Sequence, residues 1–233
     1  MPGGASELPR QLALPVTLPD DTDFNNYLVV TAAAGQARAL LERPPAGTLV
    51  HLWGPSATGK THLALASCRQ GAGMLYLPLA AVRERAPEQV LGSLDDLTLI
   101  ALDELDAVAG DDDWERALFH LHNRLLERGG SLVVASRAAP RALPLRLPDL
   151  RSRLLAGYGF ALARYDDDQC LAVLRFRAAR LGLALNAEAG RYLVNRAPRE
   201  LSALIAHLRV LDRAALTDQR LLTVPFIKQV FGW

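Results

Sequence analysis

Cysteine is nearly absent: Cys68 and Cys170 are the only two in 233 residues, far apart and outside any CxxC or Cys/His cluster. That argues against a disulfide framework or a zinc site and fits a reducing cytoplasm. Nor does charge of one sign prevail. Lysine plus arginine number 26 and aspartate plus glutamate 25, a formal net charge of +1. No global field would therefore hold the chain on nucleic acid or an anionic membrane. No apolar run approaches the roughly 18 residues that a membrane-spanning helix needs. The start, MPGGASELPR, lacks a basic segment followed by a long apolar one. The expectation is a soluble, unexported, cytoplasmic protein. Apolar residues are plentiful, at 50% of the chain, enough to bury a substantial core in one large domain or two small ones.

Residues 1–22 hold four of the 14 prolines together with glycine and acids, so little of this stretch can form helix or pack as core. It reads as a flexible tail. From Asn26 to Glu42 proline disappears and alanine and leucine dominate, which predicts a helix ending before Pro44-Pro45. The short β-branched run TLVHLW at 48–53 predicts a strand; it leads into GPSATGKT and then HLALASCRQ, a helix closed by Gly71. Met74–Leu77, Leu97–Leu102 and Ser131–Ala135 have the length and isolation of buried parallel strands. Between the last two, Trp114, Leu118, Leu121 and Leu125 recur at helical spacing. Strands alternating with helices predict an α/β fold, a parallel sheet covered on both faces. After Tyr165 only helical patterns follow. Leu171, Leu174, Ala178 and Leu181 form one stripe, and Leu201, Leu204, Ile205, Leu208 and Leu211 another. The predicted organisation is a tail over 1–22, an α/β base over 23–164 and a small all-helical lid over 165–233.

Gly54-Pro55-Ser56-Ala57-Thr58-Gly59-Lys60-Thr61 has the spacing GxxxxGK[ST] and lies between a predicted strand and a predicted helix, the context in which such a loop cradles phosphates. Its glycines let backbone N–H groups turn inward around phosphate oxygens. The helix N-terminus adds partial positive charge, and Lys60 neutralises the β- and γ-phosphates. Thr61 is expected to offer its hydroxyl to Mg2+. The second piece is LIALDE at 99–104, a buried strand ending in two carboxylates at the edge where sheet ligands gather. Asp103 is expected to hold Mg2+, directly or through water, and Glu104 to orient an attacking water. The cofactor these parts imply is ADP or ATP with Mg2+. His62, directly after the loop, is counted with the nucleotide-binding residues. Otherwise the five histidines, with His51 beside the loop and His120 and His122 on a helix, read as packing or surface residues, since no Ser/His/Asp or metal-ligating arrangement is legible.

With these motifs in place, the chain from residue 11 onward resembles the DnaA-like branch of the AAA+ ATPases, which acts at replication initiation. Asp23-Phe24-Asn25-Asn26-Tyr27 resembles the segment before that family's first helix, which implies that Asn26 and Tyr27 help to enclose the adenine base together with the lid. Leu150-Arg151-Ser152-Arg153-Leu154, followed by Gly157-Tyr158-Gly159, is similar to the family's box VII, whose arginine reaches the γ-phosphate bound by a neighbouring subunit. The resemblance implies such a finger at Arg153. It also implies sensor 2 at Arg199, within Pro198-Arg199-Glu200-Leu201, and sensor 1 at Ser136, where relatives often carry aspartate or another short polar residue.

Within that branch the chain resembles the Hda family on two grounds. DnaA continues past its lid into a helix-turn-helix domain, whereas here little follows Thr223–Lys228, so no sequence-specific duplex-binding surface is expected. In the tail, Gln11-Leu12-Ala13-Leu14-Pro15-Val16 resembles the short peptide by which partners dock on the β sliding clamp. The glutamine amide can satisfy backbone groups at a pocket rim while Leu12 and Leu14 enter apolar pockets and Pro15 limits backbone freedom; Val16 ends the peptide. The resemblance implies a regulator that binds adenine nucleotide and the DNA-loaded clamp and promotes hydrolysis of DnaA-bound ATP, preventing reinitiation. Clamp and DnaA are the implied partners, a homo-oligomer is left open, and no membrane is involved. Some Hda proteins have a degraded phosphate loop; here Gly59, Lys60, Thr61, Asp103 and Glu104 are all kept. Intrinsic hydrolysis is thus chemically permitted, although the main role implied is stimulation of DnaA. The alternative is a helicase loader or replication adaptor of the same branch. It calls for a docking extension and residues tracking a single strand, neither of which is obvious.

Overall fold

The computed structural model describes residues 22–94, 96–198, 200–218 and 221–233. The chain enters through a 3-10 turn, Phe24–Asn26, whose Asn26 amide donates to Asp23 Oδ1 at 2.8 Å. The first long helix, α1 (Ala32–Glu42), starts later than its composition predicts. Leu28-Val29-Val30 lies outside regular structure, and Thr31 caps the helix by accepting the Ala34 amide at 3.2 Å. Bulky β-branched residues followed by a hydroxyl cap outweigh the alanine content.

Five strands among the described residues form one sheet: β1 (Leu49–Trp53), β2 (Met74–Pro78), β3 (Leu99–Asp103), β4 (Ser131–Ser136) and β5 (Tyr158–Ala161). All pairs are parallel, in the order β2-β3-β4-β1-β5. β5 is an addition to the strands expected. It is four residues long, interrupted by Gly159 and lies on the sheet edge, too short to register as periodicity. The helices α2 (Lys60–Cys68), α3 (Pro87–Leu91), α4 (Asp112–Glu127) and α5 (Pro148–Ala156) complete the layers. Alternate strand residues serve opposite faces. Val50, Leu52, Ala101 and Val133 pack with Leu41 and Leu63 of α1 and α2. Leu49, Ile100, Leu132 and Val134 pack with α3 to α5 through Trp114, Leu121 and Leu154. Being covered on both sides is what makes these strands read as continuous apolar runs.

Four helices follow among the described residues: α6 (Asp167–Arg180), α7 (Ala187–Arg196), α8 (Leu201–Asp218) and α9 (Val224–Phe231). They enclose a separate core around Leu174, Leu193, Leu204, Leu211 and Ile227. A capping box between Asp166 and Gln169 starts α6. Leu181, expected on the buried stripe, is 40% exposed because α6 ends at Arg180 and Leu181 is its cap. No helix among the described residues is long and apolar enough to cross a membrane.

Glu115 is a charged residue in the core, 0% exposed on α4. Its carboxylate accepts backbone N–H groups from Gly110 at 2.7 Å, Arg146 at 2.8 Å and Leu147 at 2.6 Å. It ties the loop before α5 to α4. Glu115→Ala leaves those donors without an acceptor and is expected to cost about 3 kcal/mol in urea unfolding. A loss well under ~1 kcal/mol would mean that water replaces the carboxylate there.

Candidate functional site

β1 delivers the chain to the carboxyl edge of the sheet, and Gly54–Thr61 turns there before α2. Gly54 has φ 149°, and a Cβ on it would lie 2.0 Å from the Leu162 carbonyl oxygen, so only glycine fits beside β5's exit. Gly59, at φ 89°, turns the chain into α2, and a Cβ there would meet the Tyr27 ring at 2.9 Å. Lys60 is buried, and its Nζ donates to the carbonyls of Gly54 at 2.7 Å and Pro55 at 2.6 Å. Burial pushes its pKa down, while the Asp103 and Asp106 carboxylates push it back up. The hydroxyl of Thr58 closes the loop on the Pro55 carbonyl at 3.0 Å.

Across the loop stands the end of β3. Thr61 Oγ1 donates to Asp103 Oδ2 at 2.6 Å, and the Tyr76 phenol on β2 donates to the same oxygen at 2.9 Å. The Glu104 amide donates to Asp103 Oδ1 at 2.8 Å. The carboxylate is thus held from three sides, and Tyr76, which sequence reasoning did not single out, is one of its holders. The Tyr76 phenol pKa is raised by burial and by the adjacent Asp103. Glu104 is exposed at the mouth, with φ 59° and ψ 45°. Ala57 (φ 61°) and Glu104 are the non-glycine residues at positive φ among those described, and both line this cavity. Backbone strain of this kind gathers where surrounding structure enforces a site. The cavity, about 430 Å³, is bounded by Lys60, Thr61, Asp103, Glu104, Ser136 and Arg137. Its oxygen donors, one hydroxyl and one carboxylate side by side, fit Mg2+, which keeps waters and takes few protein ligands.

A second cavity, about 320 Å³, adjoins it between loop and lid, with Asn26, Tyr27, Thr61, His62, Tyr165 and Arg177 on its walls. His62 Nε2 donates to the Asp23 carbonyl at 2.8 Å and its ring faces Tyr27 at 5.2 Å. The Tyr165 hydroxyl donates to the Thr58 carbonyl at 3.1 Å, linking the lid's start to the loop. From α6, Arg177 donates to the Asn26 carbonyl at 3.3 Å and Arg180 to Asn26 Oδ1 at 3.0 Å. Tyr165 and Arg177 carry no motif and were not anticipated. Burial raises the Tyr27 and Tyr165 phenol pKa values.

Not every expected residue joins this cluster. Ser136 lines the first cavity, but its hydroxyl donates inward to the Ala138 carbonyl at 2.7 Å. Arg153 is exposed on α5, over the Phe119 ring at 6.0 Å, beside a cavity walled by Pro45–Leu49 at the opposite end of β1. The loop's own ligand is out of its reach. Arg199 and the tail residues Gln11, Leu12, Leu14, Pro15 and Val16 lie outside the described residues.

Residues 166–231 match the family model described as Hda, lid domain. The fold as a whole is similar to domain III of the replication initiation protein DnaA from Thermotoga maritima, at 18% identity and TM-score 0.76 over 93% of this chain and 98% of that one. AMPPCP-bound DnaA from Aquifex aeolicus aligns at 20% identity and TM-score 0.68, over 88% of this chain and 71% of that one. The Thermotoga maritima RuvB Holliday junction branch migration motor aligns at 15% identity and TM-score 0.69, over 91% and 71%.

Proposed function

We propose that this chain, an Hda-like and DnaA-related AAA+ protein, holds an adenine nucleotide with Mg2+ and stimulates hydrolysis of ATP bound to DnaA while tethered to the DNA-loaded sliding clamp. The observation that supports it best is an Hda-type lid joined to an intact phosphate loop, with Thr61 and Asp103 bonded at 2.6 Å beside Lys60. That pocket is chemically suited to a polyphosphate. Lys60 brings the positive charge, the loop's N–H groups and the start of α2 bring partial charges, and Thr61 and Asp103 would hold the metal. Magnesium, when bound, offsets charge on the β- and γ-phosphates. Tyr27, His62 and Asn26 would enclose the base from the entering segment, with Arg177 and Tyr165 closing it from the lid. Relatives of this fold bind AMPPCP.

The division of labour follows from distance. The tail over 1–22 supplies the clamp peptide Gln11–Val16, the base over 23–164 supplies the nucleotide pocket, and the lid over 165–233 closes it. Tethering raises the local concentration of the domain near its target. Arg153 then faces the ATP of an adjacent DnaA. The test is a reconstitution with DnaA–ATP, clamp loaded on DNA and this protein, following phosphate release. Stimulation that requires the clamp and disappears with Gln11→Ala/Leu14→Ala supports the proposal. Undiminished stimulation by that variant removes the tail from it, and no stimulation under any condition defeats it.

A further inference from the structure

Ser136 lines the phosphate-loop cavity, yet it is only 1% exposed and its hydroxyl makes two hydrogen bonds. It donates its proton to the Ala138 carbonyl at 2.7 Å, and His51 Nε2 lies 2.7 Å from the same oxygen. With the serine proton committed, the second bond forms when Nε2 carries the hydrogen. His51 is then the donor, and its Nδ1, buried without a partner, is a bare lone pair. The register explains the meeting. His51 lies opposite Val134 and Trp53 opposite Ser136, so residues 51 and 136 project from adjacent strands on the same face of the sheet. The imidazole is 0% exposed, and burial lowers its pKa to about 4, so it stays neutral near pH 7. Treating His51 as ordinary packing, as its place in an apolar strand invites, misses this bond.

We propose that His51 is a positioning residue that readies Ser136 to donate to a terminal phosphate oxygen, and so sets the preference of the pocket for a nucleoside triphosphate over a diphosphate. This rests on the reading of the cavity as the γ-phosphate site. The Nε2–H holds the serine oxygen by one lone pair and polarises its O–H, while the proton is free to swing from the Ala138 carbonyl to an anionic oxygen in the cavity. Without that anchor the serine oxygen loses its fixed position, and turning the proton toward the cavity forfeits the Ala138 bond with no second bond left to hold the hydroxyl. The swing has a second effect. It releases Ala138 in the turn whose Arg137 amide donates to Asp106 Oδ2 at 2.7 Å. Asp106 lies just past Asp103, the last residue of β3, so this bond joins the two walls of the cavity.

The experiment combines imidazole nitrogen NMR with calorimetry on the full chain, using ADP and AMPPCP in the presence of Mg2+. The expected free protein shows His51 protonated on Nε2. His51→Leu lowers the AMPPCP-to-ADP affinity ratio by about tenfold, the effect of one bond to a charged group, with ADP affinity itself unchanged. His51→Gln, whose amide nitrogen occupies the place of Nε2, restores most of the ratio. A hydrogen on Nδ1 in the nucleotide-free protein overturns the proposal, whatever the nucleotides do. So does a folded His51→Leu protein with the ratio of the wild type, or a glutamine variant no better than leucine. If wild type binds neither nucleotide, the reading of the cavity falls as well; failure of the His51 role alone leaves both nucleotides bound.

Discussion

Arg153→Ala should reduce stimulated hydrolysis of DnaA-bound ATP by about 10³-fold, the lower end of what an arginine supplied in trans contributes, while nucleotide binding by the variant itself stays within about twofold of wild type. The asymmetry comes from where α5 sits. Its C-terminal turn packs against the start of β1, where a Cβ on Gly157 would lie 2.3 Å from the Leu49 side chain. The phosphate loop begins at the other end of that strand, and five residues at about 3.3 Å each separate the two. The guanidinium there is exposed and seated over Phe119. Its charge matters most where a transferring phosphoryl group gathers negative charge in a site from which water is excluded. Phosphate release with wild type and variant compared at equal clamp loading measures it, and equal stimulation by both proteins rules the finger out.

Lys60→Ala should weaken binding of ADP and of AMPPCP by about 10³-fold, because it deletes charge-assisted bonds worth roughly 1.5–3 kcal/mol each. In the structure described, that ammonium already costs something to bury, and its bonds to the Gly54 and Pro55 carbonyls hold it in place. A phosphate chain offers it a full negative charge in exchange. The variant keeps the apolar packing around α2 intact, since Leu63, Ala64 and Leu65 are all buried independently of the lysine, so it should remain folded. Calorimetric titration of both nucleotides decides the matter. Affinity equal to wild type would mean that the glycine-lined loop is not where nucleotide binds.

Much of this site was written in local patterns. Gly54, Gly59, Lys60 and Thr61 announce themselves because a backbone cradle demands fixed spacing. Asp103 does so because it ends an apolar run. What escaped the reading depends on register between distant segments. Tyr76 reaches Asp103 only because β2 and β3 pair with Pro78 opposite Asp103, and His51 reaches Ser136 only because β1 and β4 pair in step. Arg177 and Tyr165 acquire meaning from the lid folding back on Asn26 and Thr58. Glu115 is buried and held by amides from Gly110, Arg146 and Leu147, a convergence that no local pattern announces. The start of α1 differs from the expected Asn26 for another reason: the absence of proline permits a helix there, but the Thr31 cap decides where it begins.

The order of strands carries a consequence for how this polypeptide is made. β1 is synthesised first, yet its neighbours in the sheet are β4 and β5, while β2 and β3 pair with each other. Gly54 is pinned by the Ser136 carbonyl at 3.2 Å, and the Trp53 carbonyl by the Leu162 amide at 2.7 Å. A nascent chain leaving the ribosome therefore carries an apolar, unpaired β1 until β4 has emerged at residue 136, and its second edge stays open until residue 162 follows. Such a strand is the kind of surface that chaperones recognise and that drives premature aggregation. The capacity to hold an anion is in this sense acquired late in translation, although the residues that confer it are among the earlier ones to appear.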